Sequence, residues 1–108
     1  MSQSITKTKK AVSSKTKDKT KAKIEEPRLY KVLLHNDDYT TMEFVVEILV
    51  EIFNKSVENA MNIMLNVHHQ GIGVCGVYAF EIAETKMEAV HKLARQNNHP
   101  LKCTMELE

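Results

Sequence analysis

The chain has 108 residues, 43% of them hydrophobic and 27% charged, with a formal net charge of +1. That length predicts one domain. The absence of any run of about 18 apolar residues argues against a membrane span, and the N-terminus has no apolar core of a signal peptide. Two cysteines, Cys75 and Cys103, stand far apart without a C-x-x-C pattern, so a reduced, cytoplasmic setting is expected.

The net charge hides an asymmetry. Residues 1–26 carry eight lysines against Asp18, Glu25 and Glu26, a balance of +5, while residues 27–108 balance to −4. The first 26 residues are rich in Ser, Thr and Lys and hold no aromatic side chain. Ile5, Val12 and Ile24 share no helical stripe. Such a segment cannot bury enough apolar surface to offset its ordering entropy, so a flexible basic tail is expected, followed by a folded core over 27–108. Lysine runs attract phosphate, but no Arg or aromatic residue interleaves them, and no nucleic acid is expected as a partner.

After Pro27, the segment Leu29-Tyr30-Lys31-Val32-Leu33-Leu34 has the branched and aromatic content of a strand, with Val32 and Leu34 on one face. The polar loop His35-Asn36-Asp37-Asp38-Tyr39 follows. Thr40 and Glu43 fit a capping box and predict a helix start there. Phe44, Val45, Ile48, Leu49 and Ile52 then recur at helical spacing, and Glu43, Glu47 and Glu51 form an acidic outer stripe. Asn54-Lys55 makes a break. Ser56 predicts the N-cap of a second helix with Val57, Ala60, Met61, Met64, Leu65 and His68 on its apolar stripe, ended by Gly71.

Val74 to Ile82 reads as a second strand, in which Gly76 signals a bulge or a close backbone approach. A third helix is predicted from Thr85 to about Asn97, with Met87, Val90, Leu93 and Ala94 on one face. Asn97-Asn98-His99-Pro100 breaks it, and Leu101–Leu107 alternates as a last strand. The order is βααβαβ: an α+β sandwich with a three-stranded antiparallel sheet and three helices on one side.

Asn36 and Asp38 stand two apart in an extended loop, so their side chains can share one direction. His68 closes the second helix. An amide oxygen, a carboxylate and an imidazole form an acceptor-rich set suited to an ammonium with three donors. Val45, Met64 and Val67 are apolar neighbours for a pocket beside them. Asn-Asp-Asp is also ordinary turn chemistry, and the residues alone leave both readings open. The His and Cys residues match no closed zinc motif, and no metal or other cofactor is expected. No nucleophile motif or phosphate-cradling loop is present, which argues against an enzyme.

The run Asn36-Asp37-Asp38-Tyr39-Thr40-Thr41-Met42-Glu43-Phe44-Val45 resembles the signature of the ClpS family, N-end rule adaptors of the ClpA/ClpP protease. Val67-His68-His69-Gln70-Gly71, Ala83-Glu84-Thr85-Lys86 and His99-Pro100-Leu101-Lys102-Cys103-Thr104 resemble it as well. The likeness runs from about Leu29 to Leu107. It implies a monomeric, non-enzymatic adaptor that captures proteins starting with Leu, Phe, Tyr or Trp and delivers these N-degron substrates to the ClpA unfoldase for degradation by ClpP. By the same resemblance, Asn36, Asp38 and His68 contact the α-amino group. Leu34, Val45, Met64, Val67 and Leu101 line the side-chain pocket, Thr40 lies at its rim, and Met42 discriminates against β-branched residues. Glu81 and Lys86 dock on the ClpA N-terminal domain, and the basic tail takes the position of an arm that engages the unfoldase. The alternative is a modulator that changes ClpA's substrate choice by docking alone. Thr41, His35 and His69 depart from the family pattern, where Pro, an apolar residue and an aromatic residue are common.

Overall fold

A computed structural model of the chain describes residues 26–108. The expected basic tail lies outside the described residues, Glu26 excepted. The elements run β1 (Leu29–His35), α1 (Met42–Glu51), α2 (Val57–Gln70), β2 (Ile72–Ala79), α3 (Phe80–Gln96) and β3 (Lys102–Leu107). The expected βααβαβ order stands.

The sheet order is β2-β1-β3, with both pairings antiparallel. The first strand is therefore central. Tyr30 pairs with Leu107, and the Glu108 N–H donates to the Leu29 carbonyl at 2.9 Å. Val32 and Leu34 from β1, Cys75 from β2 and Cys103 from β3 share a single core with Phe44, Ile48, Ala60, Met64, Ala83 and Val90 from the helices. All three helices thus cover the same face of the sheet.

The bulge signalled by Gly76 is present. Val32 opposes Gly76 while Leu33 opposes Val74, so Cys75 is the extra residue. It turns inward and is buried, as is Cys103. Burial pushes the Cys75 thiol far above its ordinary range, with Cys103 adding to the rise, and burial pushes Cys103 up to about 12. Both are free thiols held protonated as small core side chains.

Three boundaries differ from expectation. Helix α1 is capped by Thr41, not Thr40: the Thr41 hydroxyl accepts from the Phe44 N–H at 3.1 Å. Thr40 and Glu43 therefore form no capping box. Strand β2 occupies Ile72–Ala79 rather than Val74–Ile82, and α3 begins at Phe80 rather than Thr85. Ala79 caps α3 without a side-chain hydrogen bond, so no polar N-cap residue marks the junction. The Thr85 hydroxyl instead bonds back to the Glu81 carbonyl inside the helix, at 2.9 Å.

Helix α2 behaves as predicted at its ends. Ser56 accepts from the Asn59 N–H, and Gly71 closes the helix at φ 86°, a left-handed conformation that glycine adopts without a Cβ clash. Its buried face differs: Ala60, Met64 and Val67 enter the core, while Val57, Met61 and Leu65 remain exposed.

A candidate peptide N-terminus site

The site begins where β1 stops. The His35 ring is fixed by a 2.8 Å hydrogen bond between its Nε2 and the Thr104 hydroxyl on β3. Burial lowers the His35 pKa, and the neighbouring Lys102 charge lowers it further. The next residue ties the loop to the far helix: the Asn36 N–H donates to the Gly71 carbonyl at 2.9 Å. Since Gly71 follows α2 directly, that bond brings the end of α2, with Val67 and His68, beside the loop. The left-handed turn at Gly71 makes its carbonyl available for this contact.

Asp37 then organises the loop from within. Its carboxylate accepts from the Tyr39 N–H at 2.8 Å, the Thr40 N–H at 2.7 Å and the Thr40 hydroxyl at 2.7 Å. Burial pushes its pKa up, but the bonds from Thr40 and Tyr39, with the nearby His99 charge, outweigh this and hold it below the usual value. The His99 ring packs on Phe44 at 4.4 Å between centroids, which holds the chain before β3 against the start of α1. Asp38 is exposed, its carboxylate left to solvent.

These ties enclose a hollow of about 260 Å³. Asn36, Asp37, Asp38, Thr40 and His68 supply its polar lining. Met42 and Val45 face it from α1, Met64 and Val67 from α2. Val45, Met64 and Val67 are buried and form an apolar floor. Asn36, Asp38 and His68 are exposed, and Met42 is 44% exposed beside the opening. Helix α2 runs close over β2 at Val67: a Cβ added at Gly73 would lie 2.7 Å from Val67 Cγ2.

Eight of the expected site residues therefore line one hollow: Asn36, Asp38, His68, Thr40, Met42, Val45, Met64 and Val67. Leu34 and Leu101 do not. They are 0% and 4% exposed and belong to the core that backs the floor. Asp37 was missed as a lining residue. Its signal was the Asp-x-x-Thr spacing, in which an Asp side chain closes a turn on following N–H groups.

Glu81 and Lys86 lie apart from the hollow, on α3. Glu81 is exposed in the first turn. Lys86 is engaged within the fold: its Nζ donates to the Ile52 carbonyl at 2.7 Å, satisfying the end of α1, and lies 5.2 Å from the Tyr78 ring centroid and 5.8 Å from that of Phe53. Among the described residues, no group of three or more His, Cys, Asp or Glu side chains is placed to hold a metal ion, and no helix is long and apolar enough to cross a membrane.

Residues 25–104 match the family model of the ATP-dependent Clp protease adaptor protein ClpS. The ATP-dependent Clp protease adapter protein ClpS of Desulfatibacillum aliphaticivorans is 64% identical over 86 residues, covering 80% of this chain and 83% of that protein. Its counterpart from Desulforapulum autotrophicum is 55% identical over 98 residues, covering 91% of this chain and 94% of that protein. Among solved structures, Agrobacterium tumefaciens ClpS2 bound to L-phenylalaninamide superposes with a TM-score of 0.74 at 40% identity, over 77% of this chain and all of that one. The match spans the loop, the second helix and most of the sheet, and the chain belongs to the ClpS family of Clp protease adaptors.

Proposed function

We propose that this chain is a non-enzymatic adaptor in the cytoplasm that binds the free N-terminal Leu, Phe, Tyr or Trp of a substrate protein and hands it to the ClpA unfoldase for degradation by ClpP. The observation that carries this reading is the composition of the hollow: acceptors at an exposed rim over a buried apolar floor. Asn36, Asp38 and His68 receive the α-ammonium, and Val45, Met64 and Val67 receive the side chain. The ligand of the related ClpS2, L-phenylalaninamide, pairs the same two groups, a free amine and an apolar side chain. At about 260 Å³ the hollow is smaller than the roughly 300–1,000 Å³ of drug-sized sites and suits one residue.

Magnitudes explain why both halves are needed. Burying a Leu or Phe side chain contributes about 1.5–3 kcal/mol. Each of the three hydrogen bonds to the ammonium contributes about 1.5–3 kcal/mol more. Association costs on the order of 4–15 kcal/mol in lost freedom. An internal Leu offers the side chain without the ammonium and falls short. Met42, flexible and half-exposed at the mouth, discriminates against β-branched N-terminal residues, whose stiff branch sits next to the backbone.

Residues 27–108 act as the adaptor core and residues 1–26 as the arm that engages the unfoldase. Glu81 and Lys86 dock a monomeric adaptor on the ClpA N-terminal domain. Lys86 contributes there through the surface it orders at Phe53, Tyr78 and the end of α1, since its ammonium is already bonded.

The test is a fluorescence titration, without ClpA, of peptides that differ only in their first residue. Phe, Leu, Tyr and Trp should bind, Val should bind weakly, and N-acetylation should abolish binding. Asp38→Ala should weaken Phe-peptide affinity at least tenfold, the loss of one bond to a charged group, at roughly 1.4 kcal/mol per decade. Binding that survives acetylation would mean that the ammonium is not read. No peptide binding without ClpA would leave docking alone as the function.

A further inference from the structure

A second hollow, of about 430 Å³, opens beside the first and is walled by Met42, Glu43, Val46, Met61 and Met64. Met42 and Met64 line both, so a single layer of side chains separates the two. Met61 is 48% exposed, and Leu65 continues the apolar surface along α2. Three of the chain's six methionines wall it, which makes its shape adaptable to different apolar side chains.

We propose that this second hollow takes the side chain of the third residue of a peptide whose first residue fills the first hollow. The proposal rests on the N-terminus reading of the first hollow and extends it. In an extended chain successive side chains point to opposite sides, and residues 1 and 3 point the same way about 6.6 Å apart. That spacing spans one wall of side chains, here Met42 and Met64. The second side chain points away from both hollows. Glu43 is the one charged residue among the five that line the second hollow, so apolar third residues are accepted and acidic ones repelled.

The experiment uses the full chain and short fluorescent peptides that begin Phe-Ser-X, with X as Met, Ser or Glu. A parallel Phe-X-Ser series moves the same change to position 2. The expected order at position 3 is Met, then Ser, then Glu, with Met roughly three- to tenfold tighter than Ser, the effect of partly burying one apolar side chain. Position 2 should show no such order. In Met61→Ser, an exposed position on α2, the ratio of Met to Ser affinity should fall to near one. Equal affinities at position 3, the same order at position 2, or a ratio unchanged in Met61→Ser would each overturn the proposal. The wild-type peptide series decides it even if the variant fails to fold. Tight Phe binding with a flat position 3 sinks only this inference, whereas loss of all dependence on Phe and on its free amine sinks the N-terminus reading as well.

Discussion

Thr40 gives both its backbone N–H and its hydroxyl to the carboxylate of Asp37, each at 2.7 Å. With the Tyr39 N–H as a third donor, one acidic side chain closes the loop and leaves its neighbour Asp38 facing solvent. Asp37→Ala should therefore destabilise the fold by about 1–3 kcal/mol, because three donors lose one acceptor. It should also weaken Phe-peptide binding by loosening Asn36 and Asp38, although it leaves both in place. Asp37→Asn keeps one acceptor oxygen and should cost less. Urea unfolding, paired with the peptide titration, measures both effects.

The same bonds set a pH dependence. The folded-state pKa of Asp37 lies below its ordinary value, so the folded chain binds its proton less readily than the unfolded chain. Its stabilisation is complete above the unfolded value of about 3.9 and is lost as pH falls through the folded value. His35 is also lowered, by burial and then by Lys102, so its contribution begins to fade earlier, as pH falls below about 6.5. The stability difference between wild type and Asp37→Asn should be constant from pH 6 to 8 and shrink below about pH 4. Thermal unfolding across that range checks the sign. A difference that grows in acid would contradict it.

Gly73 sets the position of the pocket wall. A Cβ there would meet Val67 Cγ2 at 2.7 Å, too close for the side chain to stay where it is. Gly73→Ala should push Val67 into the hollow and cost about 1–3 kcal/mol in overpacking. Peptides starting with Trp or Phe should lose more affinity than those starting with Leu. Adding Val67→Ala should restore part of the loss, so the double variant should bind Trp better than Gly73→Ala alone. A double-mutant cycle on affinity reads that coupling directly.

Lys86 and Glu81 should separate in their effects on stability. Lys86→Ala removes the donor to the Ile52 carbonyl and should cost about 1–2 kcal/mol, the range for a part-buried bond to a charged donor with some loss of stem packing. Glu81→Ala, at an exposed position, should change stability by less than about 0.5 kcal/mol. If both variants lose delivery to ClpA while still binding Phe peptides, the Glu81 result reports docking cleanly. The Lys86 result has to be compared with its unfolding curve.

The fold was readable wherever a side chain carried the local signal. Ser56 and Gly71 mark α2 because one hydroxyl caps its start and one left-handed turn ends it. Gly76 marked the bulge. The start of α3 left no such mark: Ala79 offers the helix no side-chain acceptor, and Phe80 and Ile82, alternating around Glu81, read as a continuation of the strand before them. The two threonines before α1 were confused because Thr40 satisfies the capping pattern with Glu43, while its hydroxyl is spent on Asp37 and the cap falls to Thr41. Spacing alone also put Met61 and Leu65 inside, whereas the buried face runs through Ala60, Met64 and Val67.

The candidate site was legible as a set of residues and not as a shape. Nothing in the sequence states that the Asn36 N–H meets the Gly71 carbonyl, the contact that sets the end of α2 beside the loop. Leu34 and Leu101 belong to the same stretches as the lining residues, but burial places them one layer deeper. Those distinctions depend on packing between elements distant in sequence.

The pairing of β1 with β3 has a practical consequence. Leu29 and Glu108 are neighbours at one end of the sheet, joined by a backbone bond, while the loop that starts at Asn36 lies at the other end of β1. Seven strand residues separate them, roughly 20 Å at the usual rise. A dye, a bead linker or a fused reporter attached at Glu108 starts a strand's length from the hollow, so the protein can be immobilised or labelled there with its mouth open.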